Sequence, residues 1–458
     1  MMVVTDALIA ALDETVRRAR GSALYRERLA QVTIRRIEDL HAVPLTTRED
    51  LQAAGAHGTR AVPLEQVCHY GESSGTTGPS NSVWLTVGDF TKDADVLRAL
   101  LPDVFAPGRV LLNRFPFMAA PAHLMQLVAQ RGGGVAIPAG NINWDVPFHR
   151  ALELVQRCGA QVLAGMPMEP IVLGEIAKWR GIDPARDLSI DTLFLGGSPL
   201  PPSMQRRLAR VWNARVIELY GSTETMLLGT GCVRGTLHFT SQLAYGEILE
   251  IERDVPVAPG QKGRLVVTTL GVEGSPLVRF DTRDIVLPTP ACACGDPRPG
   301  LVVYGRAGET IALGGRSLHP SEVIAAASDA ADALDSLVFF VVILPDRVLV
   351  RIEEGPHPIG DPAVAFARNL PGVPCEIERT APQDLLDVEL LCRSPKVYKP
   401  VVLSDWGSAN RKLLTVVEGM IEWPRPDFQE GKRWFQRMLR TELRRRRLKK
   451  AVARAGGR

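Results

Sequence analysis

No apolar run in this 458-residue chain approaches the ~20 residues that a helix needs to cross a bilayer. A protein built from membrane-spanning helices is therefore excluded. No basic-then-apolar leader opens the chain; Thr5 to Arg20 reads instead as a helix. Thr5 suits its N-cap, Leu8, Leu12 and Val16 share one face, and Gly21 stops it. The expected location is the cytoplasm. An excess of one charge is also missing. Lys and Arg number 54 against 51 Asp and Glu, so net charge is only +3 and the body of the protein is no polyanion binder. Cysteines are few and odd in number, at seven, which argues against a disulfide framework and towards thiols and metal. The 45% apolar and 23% charged residues are those of an ordinary globular chain, and the length implies about three domain-sized units.

Against that background Tyr70-Gly-Glu-Ser-Ser-Gly-Thr-Thr-Gly78 stands out. Glycine lets backbone approach a ligand closely, and hydroxyls beside exposed N–H groups make a cradle for anionic oxygens. Ser73, Ser74, Gly75, Thr76, Thr77 and Gly78 are thus candidate phosphate-binding residues. A flexible linker has similar composition, but linkers rarely lie between apolar segments such as Val67–Tyr70 and Val83–Val87. A Walker loop would end in Gly-Lys-Ser/Thr, whereas Pro79 and Ser80 follow Gly78, and no lysine is available to the terminal phosphates. Gly71-Glu-Ser-Ser-Gly75 formally matches a hydrolase nucleophile elbow with Ser73 as nucleophile. That elbow runs directly into a helix, and here turn formers through Ser82 intervene.

Beyond the loop, strand-like runs at Arg109–Leu112, Gly134–Ile137, Gln161–Ala164, Thr192–Leu195 and Arg215–Leu219 alternate with helical segments such as Phe148–Cys158 and Pro202–Trp212. Such alternation implies an α/β fold with a parallel sheet covered on both faces. After Gly231, Gly246–Glu252 and Gly263–Thr269 read as antiparallel strands joined through a turn at Pro259-Gly260. Past Arg306 come a helix from Pro320 to Ala331 and a hairpin, Val338–Leu344 and Arg347–Glu353, around Pro345-Asp346. The expected domains are 1–304, 305–420 and a basic helical tail, 421–458. The tail's Arg444–Arg447 and Lys449-Lys450 run reads as a solvated helix end rather than a nucleic-acid reader.

Three further segments follow the loop in order: Leu219-Tyr-Gly-Ser-Thr-Glu-Thr225, Val278-Arg-Phe-Asp-Thr-Arg-Asp284 and Tyr304-Gly-Arg-Ala-Gly-Glu through Glu322. Each alone is an ordinary loop; together, from about Leu24 to Ile343, the chain resembles the adenylate-forming superfamily and, within it, the phenylacetate–coenzyme A ligase family. The resemblance implies a large α/β N-terminal adenylation domain, of mixed sheets covered by helices plus an antiparallel subdomain, with a small mobile α+β C-terminal domain. It implies that ATP and Mg²⁺ are used to activate a carboxylic acid, with coenzyme A as co-substrate. The 73–78 loop would hold the phosphates, Gly196, Gly197 and Ser198 would line the base, and Tyr220, followed by Gly221, would stack on adenine. Thr223 would bond the α-phosphate, Glu224 would hold Mg²⁺, Asp284 would accept from the ribose hydroxyls, and Arg306 would sit at the hinge near the nucleotide. The family's C-terminal lysine is matched first by Lys396 and second by Lys399.

Departures from the pattern are as informative. Pro79-Ser80 replaces Lys-Pro, Ser198 stands where Glu is usual, Asp281 and Arg283 replace an Arg and a Gly, and Gly308-Glu309 replaces two aspartates. These changes fit an altered acid or acceptor, such as a carrier-protein thiol or an amine, or a non-catalytic nucleotide-binding homologue.

Cys232, His238, Cys292 and Cys294 form an independent signal: three thiolates and an imidazole suit a closed structural Zn²⁺ site flanking the antiparallel strands. Cys-x-Cys-Gly after the ribose-binding Asp is also similar to some ligases of the family. Phe115, Phe117, Met118 and His123 lie where the resemblance places the acyl pocket, implying a small aromatic acid. Expected partners are that acid and coenzyme A or a carrier protein, with no membrane and no nucleic acid; a homodimer is one arrangement left open.

Overall fold

The structure, a computed structural model, describes residues 4–73, 80–117, 119–140, 146–386, 388 and 403–405. Lys396, Lys399, Met118 and the basic tail lie outside the described residues, as do Ser74, Gly75, Thr76, Thr77 and Gly78. Strands β1 (Val67–Glu72) and β2 (Ser82–Thr86) pair antiparallel with Tyr70 opposite Trp84. The short apolar runs then become β3 (Val110–Asn113), β4 (Val135–Pro138), β5 (Val162–Gly165), β6 (Thr192–Gly196) and β7 (Arg215–Ser222). They pair in parallel in the order β4-β3-β5-β6-β7. Every residue of β5 and β6 is buried, as a strand covered on both faces requires.

At β7 the chain turns back into β8 (Met226–Gly231), and the sheet continues antiparallel. It adds β9 (Leu237–Phe239), β10 (Ala244–Leu249), β11 (Gly263–Thr269), β12 (Phe280–Thr289) and β13 (Gly300–Arg306). The result is one 11-stranded mixed sheet, β10-β11-β12-β13-β9-β8-β7-β6-β5-β3-β4. The expected change of texture after Gly231 is thus a change of pairing within a single sheet. β10 ends at Leu249, three residues short of the strand read to Glu252, where the chain turns back and the Glu250 N–H donates to the Val255 carbonyl at 2.8 Å.

The helices begin where their caps dictate. Thr5 accepts from the Leu8 N–H, and Thr47 and Asp50 form a reciprocal capping box. Leu8, Leu12 and Val16 are buried, as their spacing predicts. Past Arg306, a hairpin β14 (Ile311–Leu313) and β15 (Arg316–Leu318) precedes the helix Pro320–Ala333. Strands β16 (Phe339–Ile343), β17 (Val348–Glu353), β18 (Cys375–Thr380) and β19 (Leu403–Asp405) form a separate 4-stranded sheet ordered β18-β17-β16-β19. Residue 305, near which a domain boundary was expected, lies within β13. Residues on both sides of it share one hydrophobic cluster, which joins Leu208 and Trp212 to Val323 and Phe340. Among the described residues no helix is long and apolar enough to cross a membrane.

One buried ion pair ties the N-terminal segment to the sheet that carries the site. Arg279 donates to both Glu247 oxygens at 3.0 and 2.8 Å and to the carbonyls of His41 and Val43 at 2.7 and 2.6 Å. Both partners are only 6% exposed, so removing one strands the other's charge in the interior. Arg279→Met is therefore expected to lower unfolding free energy by about 3–5 kcal/mol, measured by denaturant unfolding. A loss within ~1 kcal/mol, as for an exposed pair, would contradict this role.

Candidate active site

The carboxyl ends of parallel strands are where open α/β sheets bind ligands. Here β6 ends at Gly196 and β7 at Ser222. The glycines along this edge have steric reasons to be there. A Cβ on Gly196 would lie 2.7 Å from the Leu219 carbonyl oxygen, and one on Gly221 only 1.9 Å from that of Met226. Gly197 adopts φ +84°, a left-handed value that glycine takes without strain.

Tyr220 projects from β7 towards the antiparallel half of the sheet. Its hydroxyl donates to Asp284 Oδ2 at 2.6 Å. Asp284 pairs across the ladder with Arg306, whose Nε lies 3.8 Å from Oδ1. Strands remote in sequence thus converge on one acid. Burial pushes the Asp284 carboxyl up to about 6; the Tyr220 hydroxyl and Arg306 pull against it, while Glu224 and Glu309 reinforce it. Burial and the Asp284 charge together hold the Tyr220 hydroxyl well above its usual range, so it remains a donor. Thr282 donates no proton to the acid; its Oγ1 accepts from the Asp284 N–H at 3.1 Å and its hydroxyl is spent on the Leu265 carbonyl.

Glu224 reaches the same place from the β7–β8 turn, where Ser222 and Thr225 exchange backbone-to-hydroxyl bonds at 3.2 Å. Its Oε1 accepts from Asn81 Nδ2 at 2.7 Å. Asn81 in turn closes the base of the Gly-rich segment. Ser73 N–H donates to the Asn81 carbonyl at 3.0 Å, and Asn81 N–H donates to Ser73 Oγ at 2.8 Å. Asn81 therefore links Ser73 to Glu224, and Glu224 lies near enough to act on the charge of Asp284, which Tyr220 and Arg306 hold. Thr223 and Ser198 are half-buried beside their strand ends. Asn81 went unread in the sequence because it sits among turn formers.

Arg283 explains one departure physically. It holds φ +62°, a conformation where glycine is favoured, and its guanidinium pairs with Glu49 at 2.9 Å. The aromatic residues expected to hold an acyl group divide. Phe115 belongs to the buried core, whereas Phe117 is 47% exposed and its ring leaves no room for a side chain on Gly140. His123 Nε2 donates to the Phe117 carbonyl at 2.9 Å, and its ring centroid lies 4.4 Å from that of His69 with the planes tilted by 53°. Burial, with help from His123, pushes His69 down to about 4, and its Nε2 meets no partner among the described residues.

The Cys/His constellation also assembles. Ligand atoms of Cys232, His238, Cys292 and Cys294 all lie within 4.8 Å of one another. A tetrahedral zinc with Zn–S of ~2.3 Å sets two thiolates about 3.8 Å apart. The Cys232 and Cys292 sulfurs are 3.8 Å apart, and Cys294 Sγ is 3.4 Å from His238 Nε2. His238 Nδ1 faces the Arg298 carbonyl at 2.9 Å; a carbonyl only accepts, so Nδ1 carries the proton and Nε2 offers its lone pair to the cluster. Backbone N–H groups of Arg234 and Asp296 reach the Cys232 and Cys294 sulfurs at 3.4 Å. The donor set fits a closed zinc site.

Residues 5–273 match the family model described as AMP-binding enzyme. Over 299 residues the chain is 28% identical to phenylacetate-coenzyme A ligase of Thermus thermophilus, covering 63% of this chain and 66% of that one, just short of two thirds. It is 26% identical over 312 residues to the phenylacetate-coenzyme A ligase of Pseudomonas putida, covering 66% of this chain and 70% of that one. Among solved structures, 2-hydroxyisobutyryl-CoA ligase in the postadenylation state with 2-HIB-AMP superposes with a TM-score of 0.74 at 20% identity, over 94% of this chain and 91% of that one. That likeness shows the fold.

The Asp284 carboxyl supplies a test of the geometry that needs no ligand. Its folded pKa of about 6 lies above its ordinary 3.8, so the native state holds the proton more tightly than the unfolded chain. The acid therefore costs stability progressively as pH rises from about 4 to 6, and no further above that. Asp284→Asn is expected to gain on wild type through this window and run parallel to it above about pH 7, read from denaturant midpoints. A constant difference from pH 4 to 7 would mean the acid is not buried as described.

Proposed function

The chain belongs to the AMP-binding enzyme family, in the phenylacetate–coenzyme A ligase-like branch of the adenylate-forming superfamily, and from that membership we propose that it activates a small aromatic carboxylic acid with ATP and passes the acyl group to coenzyme A. The observation that carries this reading is that Glu224, bonded through Asn81 to the base of the Gly-rich segment, lies near enough to act on the charge of Asp284, which Tyr220 and Arg306 hold. In the first half-reaction a carboxylate oxygen attacks the α-phosphorus of ATP, the bond to the β-phosphate oxygen breaks, and pyrophosphate leaves. In the second, the thiol sulfur of coenzyme A attacks the acyl carbon, AMP departs, and the thiol proton is released.

Two anions must approach each other in the first step, so positioning and charge compensation dominate catalysis. Asp284, as a carboxylate, accepts hydrogen bonds from the ribose hydroxyls, and the Tyr220 bond keeps it aimed. The Tyr220 ring takes the adenine against the glycines Gly196 and Gly197, with Ser198 at the edge of the base. Arg306 lies beside the phosphates, and the hydroxyls of Ser73 and Thr223 donate to phosphate oxygens, with Ser74, Gly75, Thr76, Thr77 and Gly78 completing the loop. Glu224 is the carboxylate suited to hold Mg²⁺, which neutralises phosphate charge when bound. The C-terminal lysine that completes adenylation is Lys396 in this reading. Phe117, exposed beside His123, faces the aromatic acid.

The Cys232–His238–Cys292–Cys294 site holds zinc in a structural role. All four ligands are protein side chains, so no position stays open for substrate. Its place between the β8–β9 turn and the β12–β13 connection makes it a clip on the antiparallel half of the sheet.

A pyrophosphate-release panel of aromatic acids, run on wild type and Glu224→Ala, tests the reaction. Wild type should release pyrophosphate with at least one acid, and the variant should lose roughly a hundredfold in rate while staying folded. Equal rates in the two would remove Glu224 from the reaction. A coenzyme A arm, with a carrier-protein thiol and an amine as alternatives, identifies the acceptor. For the clip, metal analysis of purified protein should find about one zinc per chain. Cys292→Ser should lose that zinc and unfold ~5 °C or more lower while keeping most of its turnover at low temperature. Wild-type metal content in the variant would refute the site.

A further inference from the structure

We propose that Asn81 is a further member of the cation site: its amide nitrogen fixes the Glu224 carboxylate while its free carbonyl oxygen offers a divalent cation, or that cation's water, a second hard oxygen. The inference rests on the adenylating reading above and assigns that site a residue which the loop's own motif does not contain.

The orientation of the Asn81 side chain follows from its partner. A carboxylate can only accept, so the atom 2.7 Å from Glu224 Oε1 must be the Nδ2 donor. That leaves Oδ1 on the opposite branch of the amide. Asn81 is only 1% exposed, and its Oδ1 is buried with no donor among the described residues. A buried amide carbonyl left unpaired costs about 1–3 kcal/mol, a cost a binding site recovers when its ligand arrives.

The backbone of Asn81 is held as firmly as its side chain. Its carbonyl accepts from Ser73 N–H at 3.0 Å and its N–H donates to Ser73 Oγ at 2.8 Å. The residue thus joins the base of the phosphate-loop segment to the carboxylate on the β7–β8 turn. Carboxylate and amide oxygens are the hard ligands that Mg²⁺ and Mn²⁺ prefer. This chain also has Pro79 and Ser80 where the related pattern has Lys-Pro, so the loop brings no ammonium of its own to the phosphates. Around the same point Asp284 and Glu309 add negative charge, which favours a cation over a further anion.

Mn²⁺ serves as the probe, titrated by electron paramagnetic resonance into the full-length protein with and without ATP. Asn81→Ala should weaken Mn²⁺ binding in the ATP complex by about tenfold, the size of one lost charge-assisted contact, while leaving metal-free ATP affinity within about threefold. Asn81→Asp keeps the oxygen and adds charge. It should place two carboxylates side by side, lower the melting temperature without metal, and recover that loss when Mn²⁺ is added. A purely structural role would make the Ala and Asp variants equally insensitive to metal. Wild-type Mn²⁺ affinity in Asn81→Ala, or an Asp variant that Mn²⁺ fails to rescue, overturns the assignment. If the Ala variant does not fold, the metal-dependent melting of the Asp variant decides alone. Should wild type bind no ATP under any of these conditions, the adenylating reading itself fails and takes this inference with it; intact ATP binding with no effect at Asn81 sinks the inference only.

Discussion

A single short hydrogen bond, from the Tyr220 hydroxyl to the Asp284 carboxylate, holds the two halves of the site in register. Tyr220 ends the parallel half of the sheet on β7, and Asp284 lies on β12, with β8, β9 and β13 between them in the sheet order. The bond therefore spans the sheet's bend rather than joining neighbours in the ladder. Its donor and acceptor are each made costly by burial, and each partly relieves the other. A phenol kept protonated is a reliable donor, and an acid drawn down towards ionisation by that donor and by Arg306 is a reliable acceptor. Loss of either partner would free the other to turn, so the geometry depends on both.

Much of the fold was legible because its signals are local. Apolar runs of four or five residues mark strands, of which β5 and β6 are buried throughout, and the helices Phe148–Cys158 and Pro202–Trp212 begin and end where the sequence pattern places them. The Cys/His set was legible for a different reason. Thiols are rare here, so two pairs of ligands with tight spacing mean more than they would in a cysteine-rich chain. Asn81 was not legible, since its partner Glu224 lies 143 residues away and nothing in a run of turn formers singles it out. The glycines mislead in a subtler way. Gly196 and Gly221 read as ligand-facing, yet strand packing alone forbids a side chain at either position. Steric need and ligand access select the same residue, and sequence cannot separate them.

Arg283 shows how a departure from pattern is tolerated. The backbone there keeps the left-handed turn that glycine would adopt freely, at a cost of about 1–2 kcal/mol for an L side chain. The Arg283–Glu49 pair is exposed on both sides, with 44% and 58% of the side chains accessible, and returns at most about 1 kcal/mol. The turn is therefore maintained by its surroundings. Asp281 Oδ1 accepts from the Arg283 N–H at 2.9 Å, and the Arg283 carbonyl accepts from Ala307, so both sides of the peptide are fixed. These bonds place Asp284 against Arg306 whatever side chain occupies position 283.

Charge at the site decides what accompanies a polyphosphate. Glu224 and Glu309 both lie close enough to act on the charge of Asp284, and Arg306 is the cation that the described residues set against it. Among the described residues, three acids and one guanidinium leave a negative surplus that would repel a nucleotide unless something positive intervenes. A lysine on the loop would supply it in part, but the chain has proline there. The remaining sources are a bound divalent cation and a residue arriving from elsewhere in the chain. A buried amide oxygen left without a donor, beside a carboxylate held in place by the same side chain, favours the first. On that account the acid-rich site suits the metal complex of a nucleotide better than the free nucleotide.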